Sequence, residues 1–519
     1  HLEGRAWYAH RELLLTLTRS GLIANTEIPG DLPDVQDPRD AEQLALDVLS
    51  YYGPLTEAEI RQILPHLPED LLNADSLLSG PLMADDDLIR YCDRATFESL
   101  LRLQRALQRP DFQARPVADL PGFLACWQNF GAGDGDEALT AAVEPLLGYR
   151  APVSVWLQDL PASRVRDYQT DDLEALTSRL GIGWQGCGKE QIRLGYAEDL
   201  ALFNGASSEP TLMSLFADPA ARYDFLQLAD RQKEALSAFN ERWWDAVWNG
   251  QLSADSVAPL RQGHAGNYRL GGLVEPGRDT GRRSRRDRRG GSRRAPRYPG
   301  ARASFGWSGN WMLSAIPARE HDPIADLEDA KDKARLLLDR YGFICRELAN
   351  REGDGFSWRA LFRALRTMEL SGEVLAGLFF HDLSGPQFVL PSALPQLRRI
   401  DDAPESFWVN AMDPAAPCGL GLSWEELPQR RAGNYLSFHG GRLALVVENQ
   451  GRRLTFLVEP EHPALPAILA PVSHILERKR RLTLETINAD PAQQSAYLPY
   501  LEAIAKTVND HRHVTLESR

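Results

Sequence analysis

One local order recurs along this chain: helix, short turn, helix, then a two-stranded hairpin. The clearest copy occupies about residues 326–392. "DAKDKARLLLDRYG" sets Leu327, Ala330, Ala334, Leu337, Leu338 and Tyr341 on one face of a helix. A second helix carries "CRELANREG". A third, "SWRALFRALRTMELSG", starts at an N-capping Ser357 and stops at Gly372. "VLAGLFFHDLSGPQFVL" follows as a hairpin. Two crossed helices followed by such a hairpin make a winged helix, a variant of helix-turn-helix.

Other copies are readable. Residues 38–115 hold "DAEQLALDVLSYYG", then "PLTEAEIRQIL", where Thr56 and Glu59 have the spacing of a capping box. "LPEDLLNADSLLSG" reads as its third helix and "PLMADDDLIRYCD" as its wing. The expected tip, Asp85 to Asp87, would repel phosphate. Residues 116–203 form a winged-helix-like unit. A further winged helix is expected at 204–277, where Trp243, Trp244, Val247 and Trp248 have helical spacing. Core packing explains these rings better than base stacking. The clearest copy completes the set at 304–395, and residues 1–37 read as a helix entered mid-stride, the remnant of an upstream domain.

The end changes character. "SFWVNAM", "NYLSFHGGRLALVV" and "RRLTFLV" are short strands rich in β-branched and aromatic residues, with tight turns at Gly440-Gly441 and Gln450-Gly451. The predicted fold is therefore α+β: tandem winged helices, a small antiparallel β-barrel over 396–470, and a C-terminal α+β segment over 471–519, which contains the basic run "ERKRRL".

Charge is unevenly spread. The whole chain carries −14, which disfavours general polyanion binding. Yet residues 278–302, "RDTGRRSRRDRRGGSRRAPRYPGAR", carry +9, leaving −23 for the rest. That segment cannot bury a core and reads as a disordered linker, 278–303, whose arginines seek phosphates. No run of 18 apolar residues appears, so no membrane span is expected. Five cysteines, at least 34 residues apart, form no C-x-x-C pair; this argues against a zinc site and for reduced, cytoplasmic thiols.

"GWQGCGKEQ", Gly183 to Gln191, comes one residue short of a phosphate-binding P-loop, with Glu190 where Ser or Thr should stand. It follows a helix rather than a strand, and Glu190 brings negative charge without a hydroxyl for magnesium. It reads better as a wing with Lys189 near its tip. The DNA-binding candidates are then Lys189; Arg359, Arg363 and Arg366, a stripe opposite the core face of their helix; Arg282, Arg283, Arg285, Arg286, Arg288 and Arg289 of the linker; and Arg430 with Arg431. Such a stripe suits a solvated face as well as phosphate contact. Asp413 of "MDP" is a loop carboxylate that could activate water, or a turn residue before Pro414.

"FLACWQNF", "LLGYRAPVSVWLQDLPASRVRDY", "WWDAVWNGQLSADSVAPLR", "LRTMELSGEV", "MDPAAPCGLGLSW" and "RRAGNYLSFHGGRLALVVENQGRRLTFL" occur in one order. In that order they resemble the C-terminal region of the large helicase-related (Lhr) bacterial DNA helicases. The same region is similar to the AlkZ-type DNA glycosylases. Those enzymes carry Gln-x-Gln or Gln-x-Asp before a Pro; Tyr149 and Ala151 of "GYRAP" stand there instead. The resemblance implies a DNA-binding accessory region of a repair helicase, with single-stranded or duplex DNA and the helicase core of the same polypeptide as partners; further copies of the chain are partners only in the scaffold alternative, which the −23 charge favours. It implies no cofactor here, because ATP and magnesium would belong to the absent helicase core. A glycosylase-like base-excision module and an oligomerisation scaffold are the alternatives.

Overall fold

The computed structural model describes residues 41–519 apart from 68–70, 84–86, 109–111, 132, 204–213, 233, 271–306, 315–321, 354, 401–402 and 511–512. The expected N-terminal helix, the acidic wing tip at Asp85 and Asp86, and the arginines between 282 and 289 lie outside these residues. The described chain divides into two compact units, one reaching residue 108 and including 369–373, the other comprising 112–368 and 374–519.

The first unit opens with the helices Ala41–Leu49 and Glu57–Ile63. Thr56 caps the second: Glu59 Oε2 accepts the Thr56 amide at 2.8 Å, and the Glu59 amide donates back to Thr56 Oγ1. Among the described residues of the expected third helix only Leu71–Asn73 turns, and "LLSG" is already the strand Leu77–Gly80, paired with Arg90–Asp93. All four residues, Leu77 to Gly80, pair antiparallel with Arg90 to Asp93, which fixes this stretch as a strand rather than the end of a helix.

In the larger unit, three short three-stranded sheets each sit with a set of helices. Helices Leu120–Trp127, Gly135–Val143, Val153–Gln158 and Thr170–Leu180 precede a hairpin, Gly183–Gly186 with Gln191–Gly195. Its outer partner is Ala151–Pro152. Helices Pro323–Tyr341, Arg346–Glu352 and Trp358–Ser371 lead to the hairpin Leu375–Gly377 and Gln387–Val389, joined by Phe343–Ile344. Between them lies the Trp-rich helix Leu236–Trp248. Its sheet takes Asn310–Leu313 as central strand, between Tyr223–Asp224 and Leu252–Ala254. A strand from beyond the arginine-rich run thus completes the unit before it, whereas the expected boundary at 304 places it in the next one. Trp311, fully buried against Trp243 and Trp244, accounts for that choice.

The strands after residue 400 give a six-stranded sheet rather than a demonstrated barrel. The order is Ser406–Asn410, Tyr435–His439, Arg442–Glu448, Arg453–Phe456, Thr486–Ile487 and Asp490–Pro491. Among the described residues no pairing joins the first strand to the last. The sheet is buried on both faces. Val409, Leu436, Phe438 and Val446 enter one core with the Pro323–Tyr341 helix, while Trp408, Tyr435, Leu445 and Leu454 pack on Leu465–Ile468 and Ala470–Lys479. Continuous apolar runs such as "LALVV" suit that placement, whereas a wall with one wet face would alternate. A last small sheet joins Arg481–Leu484, Val514–Glu517 and Lys506–Asn509.

Candidate nucleic-acid interface

"GWQGCGKEQ" is a wing. Its strands flank Cys187 to Glu190, and Lys189 is exposed at the tip. Gly186 allows the wing to dock on the Trp-rich helix, because a Cβ there would stand 1.8 Å from the Val247 carbonyl oxygen. The Gly188 amide donates to the Trp248 carbonyl at 2.9 Å. The Gly188 amide thus binds a neighbouring helix, while the Cys187 and Gln191 amides close the hairpin on itself.

Of the arginine stripe, Arg359 and Arg363 are exposed. Arg366 is half-buried, with its guanidinium 6.0 Å from the Phe362 ring centroid. Arg431 is exposed, but Arg430 is turned inward: it donates to the Ala411 carbonyl at 3.1 Å and to the Tyr149 hydroxyl. Burial pushes the Tyr149 hydroxyl pKa up, and Arg430 beside it offsets part of that rise. Arg430 therefore ties the loop before Tyr435 to the 116–197 domain, where it cannot meet a phosphate.

Asp413 is fully enclosed. Arg164 donates to Oδ2 at 2.7 Å and to Oδ1 at 2.9 Å, and the Ala415 amide adds a third bond to Oδ1 at 2.8 Å. Both side chains are wholly buried. Sealed from solvent and fully paired, this carboxylate serves as a clamp between two segments 249 residues apart rather than as an activator of water.

A different carboxylate lines a cavity. Asp159 ends the helix Val153–Gln158, is 2% exposed, and borders a space of about 200 Å³. Its Oδ1 accepts from His474 Nε2 and from Arg478 Nη1, both at 2.9 Å, and more distantly from the Tyr435 hydroxyl at 3.4 Å. Among the described residues Oδ2 accepts only from Asn410 Nδ2, at 2.9 Å, which leaves it lone-pair capacity. Lys479, Gln450, His264 and Ser154 complete the rim. Burial, then Arg478, hold the His264 pKa below its ordinary value, while Glu190 pulls it back. Burial lowers Lys479 too, with Arg478 and Arg452 adding to it. Burial raises the Tyr435 hydroxyl, and the Asp159 charge adds to that rise.

Sequence reasoning missed this group because its members lie up to 319 residues apart. One signal was legible: His474 and Arg478 of "SHILERKRR" stand four apart on a helix and so share a face. Among the described residues no set of three His, Cys, Asp or Glu could hold a metal ion, and no helix is long and apolar enough to cross a membrane.

Two family models of the large helicase-related protein, each describing a winged-helix domain, match residues 116–197 and 324–409. The chain carries two winged-helix domains of the large helicase-related family. Lys189 and Asp159 fall in the first of these Lhr domains, and Arg359, Arg363 and Arg366 in the second. The "Lhr helicase/uracil glycosylase" of Escherichia coli is 28% identical over 537 residues, covering 95% of this chain and 32% of that protein. The "Lhr helicase/probable uracil glycosylase" of Mycolicibacterium smegmatis is 29% identical over 411 residues, covering 73% of this chain and 26% of that protein. The chain thus spans about a third or less of the Lhr proteins it matches. The solved DNA glycosylase AlkZ of Streptomyces sahachiroi superposes with a TM-score of 0.42 at 14% identity, over 70% of this chain and 96% of that one.

Proposed function

We propose that this chain is a DNA-engaging region of an Lhr-type protein, serving a helicase motor carried elsewhere in the same polypeptide. The observation that carries this reading is the exposed Lys189 at the wing tip of an Lhr winged-helix domain. Exposed Arg359 and Arg363 on the third helix of the other domain support it. Phosphate contacts of this kind give salt-dependent binding. Anisotropy with a labelled duplex and a labelled single strand tests it; absence of binding to both at about 50 mM salt sinks it.

A second reading is favoured by the Asp159 cavity, and by relatives whose names include uracil glycosylase. In this reading the chain removes uracil from DNA. A 200 Å³ space is smaller than the roughly 300–1,000 Å³ of a drug-sized site and suits one extruded base. Hydrolysis breaks the bond between C1′ of the sugar and N1 of the base. Water adds its oxygen to C1′ and gives up a proton; the base leaves with the bonding electrons and takes a proton. Asp159 Oδ2 is the group to accept the water proton and to face the cationic sugar. Arg478 and His474 anchor Oδ1, and the Arg478 guanidinium supplies positive charge near the departing base. Incubation with uracil-containing strands, then alkali, decides this reading: cut strands support it, and intact strands in single-stranded and duplex form reject it.

A further inference from the structure

The turn that carries Gln450 borders the Asp159 cavity, and its backbone is uncommon. Asn449 and Gln450 both lie in the left-handed region, with φ of 52° and 60°. The neighbouring hairpin meets the same demand with Gly440 and Gly441, at 55° and 73°. Asparagine tolerates that region, but a longer side chain such as glutamine seldom enters it. Residues held this way cluster at ligand sites.

The Gln450 side chain runs along the cavity wall beside Gly433 and Lys479. Its backbone N–H donates to the Gly433 carbonyl at 2.7 Å. A Cβ at Gly433 would stand 2.9 Å from Gln450 Cγ, so the glycine leaves room for that side chain. Lys479 Nζ donates to Gln450 Oε1. An ammonium has donors only, so this contact fixes which end of the amide is oxygen. The two N–H groups on Nε2 then have no partner among the described residues, and Gln450 is exposed.

We propose that Gln450 reads the base in the Asp159 cavity, selecting a pyrimidine with a carbonyl at C4 over one with an amino group there. Nε2 donates to the C4 carbonyl. Oε1, which keeps a second lone pair, accepts from N3–H. Uracil offers that pair of groups. Cytosine offers an amino group and a bare ring nitrogen, so donor meets donor and acceptor meets acceptor. A freely turning glutamine could invert to suit cytosine. Lys479 opposes this, because the inverted amide would set its N–H groups against the ammonium. The same contact polarises the amide and strengthens Nε2–H as a donor. The amide carries no information about position 5 of the ring. The inference rests on the base-excision reading above.

The test is single-turnover excision from uracil-containing single strands by the full chain and by Gln450→Gly. Glycine adopts the left-handed turn without strain, so the urea midpoint should hold. The expected result is excision slowed about 10–100-fold, with affinity for an abasic strand unchanged. A purely structural role would move the midpoint instead and would overturn the assignment. In the unsubstituted chain free uracil should inhibit excision better than free cytosine, and Lys479→Met should narrow that gap. Equal excision rates for the two chains, or equal inhibition by the two bases, overturn the assignment and leave base excision standing. Uncut uracil strands with the unsubstituted chain overturn the base-excision reading and this inference with it.

Discussion

Removing the Asp413 carboxylate should nearly unfold the larger unit. Asp413→Ala deletes two ion-pair bonds of 2.7 and 2.9 Å to Arg164 and the acceptor for the Ala415 amide. Arg164 keeps Gln128 Oε1 at 2.5 Å and the Leu160 carbonyl at 2.9 Å, neither of which is charged. A buried charge left without its counter-ion costs about 3–5 kcal/mol. The orphaned amide adds about 1 kcal/mol or more. The total, about 4–6 kcal/mol, is comparable with the ~5–15 kcal/mol by which whole domains are stable. Replacing both partners, Arg164→Met with Asp413→Leu, removes both charges and should recover most of that loss. Urea unfolding followed by fluorescence of the 12 tryptophans measures both variants. A loss below about 1 kcal/mol for Asp413→Ala would refute the reasoning, because it would mean that water already solvates the pair.

Further expectations follow from the same geometry. Gly186→Ala drives a methyl group into the Val247 carbonyl and should cost about 3 kcal/mol or more; an unchanged urea midpoint would contradict the docking of wing on helix. Lys189→Ala with Arg359→Ala and Arg363→Ala should weaken duplex binding. Its log–log salt slope, read by anisotropy, should flatten by about 1 for each phosphate no longer neutralised; an unchanged slope would place the phosphates elsewhere. The depressed His264 pKa means the unfolded chain binds that proton more readily than the folded one. Stability should therefore fall as pH drops through about 6.5, the ordinary value of the unfolded chain, and His264→Gln should make that fall shallower; a steeper fall would contradict the assigned cause.

Local features were legible from residue spacing. The Thr56 and Glu59 capping box, the turn at Gly440-Gly441 and the wing at Gly183 to Gln191 each depend on neighbours in sequence. So does the helical face of Ala330, Ala334, Leu337, Leu338 and Tyr341, all buried. What spacing could not convey was which surfaces meet. Arg430 reads as a free cation until Tyr149, 281 residues earlier, is placed beside it. Asp413 reads as a loop carboxylate until Arg164 encloses it. Asp159 carries no motif at all, because its partners come from a strand, a sheet neighbour and a helix far along the chain. The sheet after residue 400 was identifiable as strands, but its two-sided burial depends on helices from both directions.

The most direct measurement is uracil excision by the full chain and by Asp159→Asn, with binding followed in parallel. On the second reading the expected result is alkali-labile cutting at uracil by the unsubstituted chain and a loss of about 10²–10⁴-fold in the variant; both readings require equal affinity of the two for DNA. Intact strands with the unsubstituted chain, or undiminished cutting by Asp159→Asn, would contradict it.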